Sequence, residues 1–166
     1  MAQQYVVGLG SNRRHPRHGP PASVLAAALE VMAEAGLRLH AVSPIVRSRP
    51  LGPSRRAYAN AAARVETGMG PDALLAALQA IEAQFGRRRR GQRWGERVLD
   101  LDILLWDAGA WSAPGLTIPH PAYRMRRFVL APLCAVAPGW RDPGTGLAAR
   151  HLHARLTRPR PLPKRR

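Results

Sequence analysis

The 166-residue chain predicts an α+β fold in one domain, and three observations carry that reading. An apolar share of 46% over this length suits a single globular unit with a sizeable core. Short β-prone runs alternate with two stretches of helical periodicity in the order βαββαβ. No apolar run reaches the roughly 18 residues needed to cross a bilayer. Met1 leads into a β-prone stretch rather than a secretory signal, so a cytoplasmic protein with no membrane partner is expected.

Residues 4–10, with Tyr5, Val6, Val7 and Leu9, form the first strand and stop at the turn-forming Gly10-Ser11-Asn12. After a loop carrying Pro16, Gly19, Pro20 and Pro21, residues 22–35 place Val24, Leu25, Ala28, Leu29, Val31 and Met32 at helical spacing, with Gly36 as the stop. In residues 37–47, Leu37, Leu39 and Ala41 alternate with Arg38 and His40. A further strand over residues 58–66 follows the loop 49–53, and the two are expected to pair antiparallel. The second helix opens at Gly70-Pro71-Asp72, carries Leu74, Leu75, Leu78 and Ile81 on one face, and ends at Gly86. Residues 98–106 supply the fourth strand. This order is the ferredoxin-like arrangement, an antiparallel sheet with helices on one face. C-terminal additions follow: a turn-rich segment, the run 126–136, and a short helix near residues 147–156. One domain over residues 1–156 is expected, with residues 157–166 as a basic, proline-rich and disordered tail.

A net charge of +16 raises nucleic acid as a partner. However, Lys164 is the only lysine and alanine is abundant, so the charge reads as compositional bias as much as a binding surface. Two clusters stand out, residues 87–90 and the tail 158–166. Cys134 is the only cysteine, which excludes an intramolecular disulfide and a thiolate metal site and leaves a core role. His15 and His18 are too isolated for a metal site, and His151 and His153 point to different faces of a helix.

The chemistry concentrates in residues 93–105. In a strand, Asp100 and Asp102 project from one face while Leu99, Leu101 and Ile103 project from the other. Two neighbouring carboxylates repel, and a hard divalent cation such as Mg²⁺ with phosphate oxygens relieves that repulsion. Spacing alone is met equally well by a strand with one solvated polar side. The neighbouring Arg87, Arg89, Arg93 and Arg97 tilt the balance, because guanidinium groups beside paired carboxylates suit a metal-bound triphosphate. A P-loop is absent from the sequence.

Five ordered segments resemble the 6-hydroxymethyl-7,8-dihydropterin pyrophosphokinase family of folate biosynthesis. They are Gly10-Ser11-Asn12, Pro50-Leu51-Gly52-Pro53, Tyr58 to Asn60, the run Arg93 to Ile103, and Pro119-His120-Pro121 followed by Arg126 and Phe128. The resemblance spans roughly residues 5 to 156 and implies a ferredoxin-like fold with three mobile loops over the site. It implies transfer of a pyrophosphoryl group from ATP to the pterin hydroxymethyl group, with release of AMP. Asp100 and Asp102 would hold two Mg²⁺ ions, with Arg87 and Arg97 as catalytic phosphate-binding groups. The resemblance places Gln79, Glu82, Arg89, Trp94, Ile103, His120 and Arg126 with them at the nucleotide. Leu51, Gly52, Tyr58, Asn60 and Phe128 would hold the pterin, Phe128 by stacking and Asn60 through an amide able both to donate and to accept. Arg88 and Arg90 are read as solvated. A monomer is expected.

Departures from the family pattern are the Pro- and His-rich segment 13–21, the short basic loop 54–57, and Gly115, which stands where some members carry arginine. Two alternatives remain open at this level: a paralogue acting on a different pterin, and a basic nucleic-acid-binding module.

Overall fold

A computed structural model describes residues 1–49, 56–86 and 98–160. Its centre is an antiparallel sheet. The long strand β1 (Gln3–Ser11) pairs on one side with β4 (Tyr58–Thr67) and on the other with β5 (Asp100–Trp106). Two short strands, β2 (Arg38–Val42) and β3 (Val46–Ser48), both lie against β4, giving the path β2-β4-β1-β5 with β3 beside it.

The run 37–47 therefore divides. Ser43 is buried, and its hydroxyl accepts from the Ala62 N–H at 2.9 Å while donating to the Pro44 carbonyl. The hydroxyl thus takes over a ladder bond where Pro44, lacking an N–H, cannot continue the pairing. A bulge at His40 changes the phase: Leu39 packs into one core and Ala41 into the other, so the simple alternation read from the sequence ends there.

Helices α1 (Pro21–Glu34) and α2 (Pro71–Gln84) cover one face. Each has proline in its first turn, where the missing N–H costs nothing. Each is followed by a glycine in the left-handed region, Gly36 at φ 88° and Gly86 at φ 85°. Val24, Leu25, Ala28 and Met32 of α1 and Leu74, Leu78 and Ile81 of α2 meet Tyr5, Val7, Leu9, Ala61, Leu99 and Leu101 in this core.

The C-terminal additions cover the other face of the sheet. Helices α3 (Arg127–Val136) and α4 (Ala149–Thr157) close a second core of Val6, Ala62, Leu104, Leu105, Leu130, Leu133 and Leu152. A second bulge, between β1 and β5, sets both Leu104 and Leu105 towards this core. Cys134 is half-buried at its margin rather than inside it. Between β5 and α3 lies a hairpin that sequence reasoning missed, β6 (Trp111–Ala113) and β7 (Leu116–Ile118). Gly115 makes its turn at φ 80°, a conformation in which arginine would be strained.

Candidate active site

The site is built from what the central strand lacks. On the α3 side of the sheet, β1 presents Gly8 and Gly10, two residues apart and therefore on one face. Gly10 is paired with Asn60 on β4 and with Asp100 on β5, and Gly8 is paired with Ala62 and Asp102. The two missing side chains leave a trough between Asn60 and the aspartates. With α3 along its wall, the trough becomes a cavity of about 310 Å³ lined by Tyr58, Asn60, Asp100, Asp102, His120 and Phe128, together with Ser48, Arg49, Arg126 and Val129.

A Cβ on Gly10 would sit 3.7 Å from Asn60 Oδ1 and 3.9 Å from the Asp100 Cβ, which is ordinary contact, so alanine fits. Valine would add methyl groups inside the trough. Gly10→Val is expected to fold while lowering activity by about a hundredfold, since misplacing reactants by about 1 Å costs that much. Circular dichroism alongside a rate assay checks both halves.

Asp100 and Asp102 share the cavity face, while Leu99, Leu101 and Ile103 are buried in the core beneath α1 and α2. The peptide between the aspartates is anchored from behind. Glu82 on α2 is 4% exposed, and its Oε1 accepts from the Leu101 N–H at 2.8 Å. Glu82 therefore fixes the strand at the residue separating the two carboxylates. Gln79, half-exposed on α2, and Ile103 do not line the cavity.

Asn60 is buried, and both its amide hydrogens point to β3: Nδ2 donates to the Val46 carbonyl at 3.2 Å and to Ser48 Oγ at 2.8 Å. A backbone carbonyl can only accept, so the amide orientation is settled by Val46. Both amide hydrogens are thus engaged by β3 in this structure.

His120 stands beyond β7. Its backbone N–H donates to the Leu104 carbonyl at 3.1 Å, and its ring Nδ1 accepts from the Ala122 N–H at 3.2 Å. That bond places the proton of the neutral ring on Nε2. Burial, seconded by the Arg126 guanidinium and opposed by Asp100, lowers its pKa below the usual histidine value. The ring is therefore a neutral hydrogen-bond donor near neutral pH. The Arg126 guanidinium lies 6.0 Å from the centre of the Phe128 ring, so charge and stacking surface adjoin at the start of α3.

Seven residues singled out from the sequence thus meet in one cavity: Tyr58, Asn60, Asp100, Asp102, His120, Arg126 and Phe128. Leu51, Gly52, Arg87, Arg89, Trp94 and Arg97 lie outside the described residues. Sequence reasoning missed Ser48 and Gly8. The signal for Gly8 was present in the spacing Gly8-Leu9-Gly10 on a strand, whereas Ser48 is recognisable only through the pairing of β3 with Asn60. The Pro- and His-rich loop is ordered by His15 and Gly19, whose backbones exchange two hydrogen bonds. The His15 and His18 rings pack on Phe85, at 5.8 and 5.0 Å, at the end of α2.

A protein of Pseudomonas aeruginosa named 2-amino-4-hydroxy-6-hydroxymethyldihydropteridine pyrophosphokinase is 44% identical over 144 residues, covering 86% of each chain. A Synechocystis protein of the same name is 40% identical over 142 residues, covering 85% of this chain and 70% of that one. The fold is similar to the crystal structure of Plasmodium falciparum HPPK-DHPS wild type, with a TM-score of 0.71 at 12% identity, over 93% of this chain. This chain spans 45% of that longer one. The family model for 7,8-dihydro-6-hydroxymethylpterin-pyrophosphokinase matches residues 6–138, a span holding every residue of the cavity, and the chain belongs to this family.

Proposed function

We propose that the chain transfers the pyrophosphoryl group of ATP to the hydroxymethyl group of 6-hydroxymethyl-7,8-dihydropterin, releasing AMP, as a step of folate synthesis. The observation that carries this reading is the meeting of Asp100 and Asp102 with Asn60, Tyr58 and Phe128 in one cavity of a chain from this family. The same surroundings disfavour a nucleic-acid module, which has no use for paired carboxylates in a cavity.

Asp100 and Asp102 offer hard oxygen donors side by side, and the glycine trough beside them leaves room for a cation and its phosphate ligands, so the residues fit Mg²⁺. Two ions belong to the proposal. When bound, Mg²⁺ neutralises phosphate oxygens and lowers the proton affinity of the acceptor hydroxyl. The side chains do the rest. His120, its ring held by the Ala122 N–H, donates through Nε2 and Arg126 through its guanidinium to phosphate oxygens, stabilising charge as it moves. Asn60 accepts from the pterin edge, while Phe128 supplies a ring face. Arg87, Arg89, Trp94 and Arg97 complete the nucleotide side, and Leu51 and Gly52 the pterin side. Gln79 and Glu82 act from α2, Glu82 by holding the peptide between the metal-binding carboxylates.

The finer architectural reading joins this proposal: a ferredoxin-like core, supported by the strand path β2-β4-β1-β5. It is read as one domain over residues 1–156 that works as a cytoplasmic monomer. Among the described residues, no helix is long and apolar enough to cross a membrane.

Incubation with ATP and Mg²⁺, with and without the pterin, followed by nucleotide separation, tests the reading. Pterin-dependent AMP without ADP is the expected result. ADP would show simple phosphoryl transfer, and absence of turnover would favour a paralogue acting on another pterin.

A further inference from the structure

Segment 13–21, where the chain departs from the family pattern, is fastened by one imidazole. His15 Nδ1 accepts two backbone hydrogens at once, from the Arg17 N–H at 3.1 Å and the His18 N–H at 3.2 Å. The same residue closes the turn through its backbone, which exchanges two hydrogen bonds with Gly19 at 2.8 and 2.9 Å. A ring nitrogen accepts only through its lone pair, so this turn exists with His15 neutral and its proton on Nε2. The His15 and His18 rings lie 4.7 Å apart, and both pack on Phe85 at the C-terminal end of α2. Phe85 is 2% exposed, and its N–H donates to the Glu82 carbonyl at 3.1 Å. The loop therefore joins two parts of the site. It leaves β1 at Ser11, next to Gly10 of the cavity, and it packs on the end of the helix that carries Glu82.

We propose that His15 is a proton-operated fastener, which holds segment 13–19 against Phe85 when neutral and releases it when protonated. A proton on Nδ1 turns the acceptor into a donor facing two N–H groups, so both bonds are lost together. The new charge also falls among cations. Among the described residues, the charged and titratable groups facing His15 are His18 and Arg17 of its own loop, while α2 contributes the apolar ring of Phe85. Burial first, then His18 and Arg17, lowers the His15 pKa below the ordinary histidine value. The neutral ring therefore holds the turn at pH 7 and above, and that hold is lost as pH falls from about 6.5 through the lowered value. The same bonds argue against a metal ion between the two rings. Coordination through His15 Nε2 would put the proton on Nδ1, where the two N–H groups already point.

The test follows the full chain by NMR from about pH 8 to about pH 5, with His15→Asn and His15→Ala beside the parent. An asparagine side-chain oxygen also accepts from the backbone two residues on, and it does not titrate. In the parent, the Arg17 and His18 amide protons and the Phe85 ring signals should shift together, with one midpoint below about 6.5. Protection of the two amides against exchange, corrected for the intrinsic effect of pH, should fall about tenfold, as for one net hydrogen bond. His15→Asn should keep the closed-state shifts across the range, and His15→Ala should show the open-state shifts throughout. Amides that do not titrate in the parent overturn the proposal. So does the same titration surviving in His15→Asn, which would assign it to His18. A kinetic consequence rests on the proposed function: between about pH 7 and about pH 5.5, AMP formation by the parent should fall about threefold further than by His15→Asn. Parallel profiles overturn that link to catalysis. A parent that makes no AMP at any pH fails the functional reading instead, and the NMR titration still decides the fastener.

Discussion

Replacing Asp100 and Asp102 together by alanine is expected to lower pterin-dependent AMP formation by about a thousandfold or more, with thermal stability nearly unchanged. The size of the kinetic effect follows from the charge involved. Loss of a single fixed electrostatic partner in an enclosed site costs about a hundred- to a thousandfold, and under the proposed function both carboxylate ligands of the cation would be lost at once. The small stability effect follows from placement. Both side chains face the cavity, with Asp102 exposed and Asp100 half-buried, while the core contacts of β5 are made by Leu99, Leu101 and Ile103 on the opposite face. Measurements of AMP release, Mg²⁺-dependent ATP binding and thermal midpoint on the same sample separate these effects. A double variant with activity within about tenfold of the parent would remove the carboxylates from the chemistry.

Legibility from sequence divides along a physical line. Periodicity made α1, α2, β1 and β5 readable, because each buries one face and the apolar pattern records it; the alternation of Asp100 and Asp102 against Leu99, Leu101 and Ile103 is the clearest instance. The break between β2 and β3 was not legible, because it depends on Ser43 replacing a backbone partner for Ala62, a long-range bond that leaves no periodic trace. The bulges at His40 and beside Leu104 were hidden for the same reason. The β6–β7 hairpin was missed because three-residue strands are too short to show alternation. In the site, residue types and motif order picked out Asn60, His120 and Phe128, but not their hydrogen-bonding roles. The orientation of the Asn60 amide and the tautomer of His120 depend on the Val46 carbonyl and the Ala122 N–H, which only the folded chain brings within reach.

The largest expected effect on stability lies away from the cavity, at Asp142. This residue is 1% exposed, and its carboxylate is enclosed by donors. Arg124 grips it with Nε at 2.5 Å and Nη2 at 2.6 Å, Thr145 Oγ1 donates at 2.8 Å and the Gly144 N–H at 3.1 Å. The Asp142 backbone also accepts from the Gly146 N–H and donates to the Leu147 carbonyl. One carboxylate thus ties the short helical turn Tyr123–Met125 to the loop leading into α4, and that turn directly precedes Arg126 and Phe128 of the site. Asp142→Ala removes the acceptor of four hydrogen bonds at once, and bonds to a charged group are worth about 1.5–3 kcal/mol each before the partly exposed Arg124 regains water, so the thermal midpoint should fall by roughly 10 °C for a domain of this size.

The pH dependence carries the same signature. Burial alone would raise the Asp142 pKa, but the hydrogen bonds from Arg124, Thr145 and Gly144 outweigh it and hold the pKa far below the usual carboxylate range. A carboxyl group with its folded pKa depressed contributes fully above its unfolded value, about 4, and loses that contribution as pH falls through the range below it. Urea unfolding of the parent should therefore give a midpoint that declines steeply below about pH 4, whereas Asp142→Ala starts lower and declines less. A variant that unfolds at the parental midpoint at neutral pH, or that keeps the parental acid decline, would show that the Arg124–Asp142 pair is peripheral to stability. With the pair broken and the site residues on α3 less firmly placed, the KM for the pterin should rise before the protein unfolds, because Phe128 and Arg126 depend on the same anchored turn.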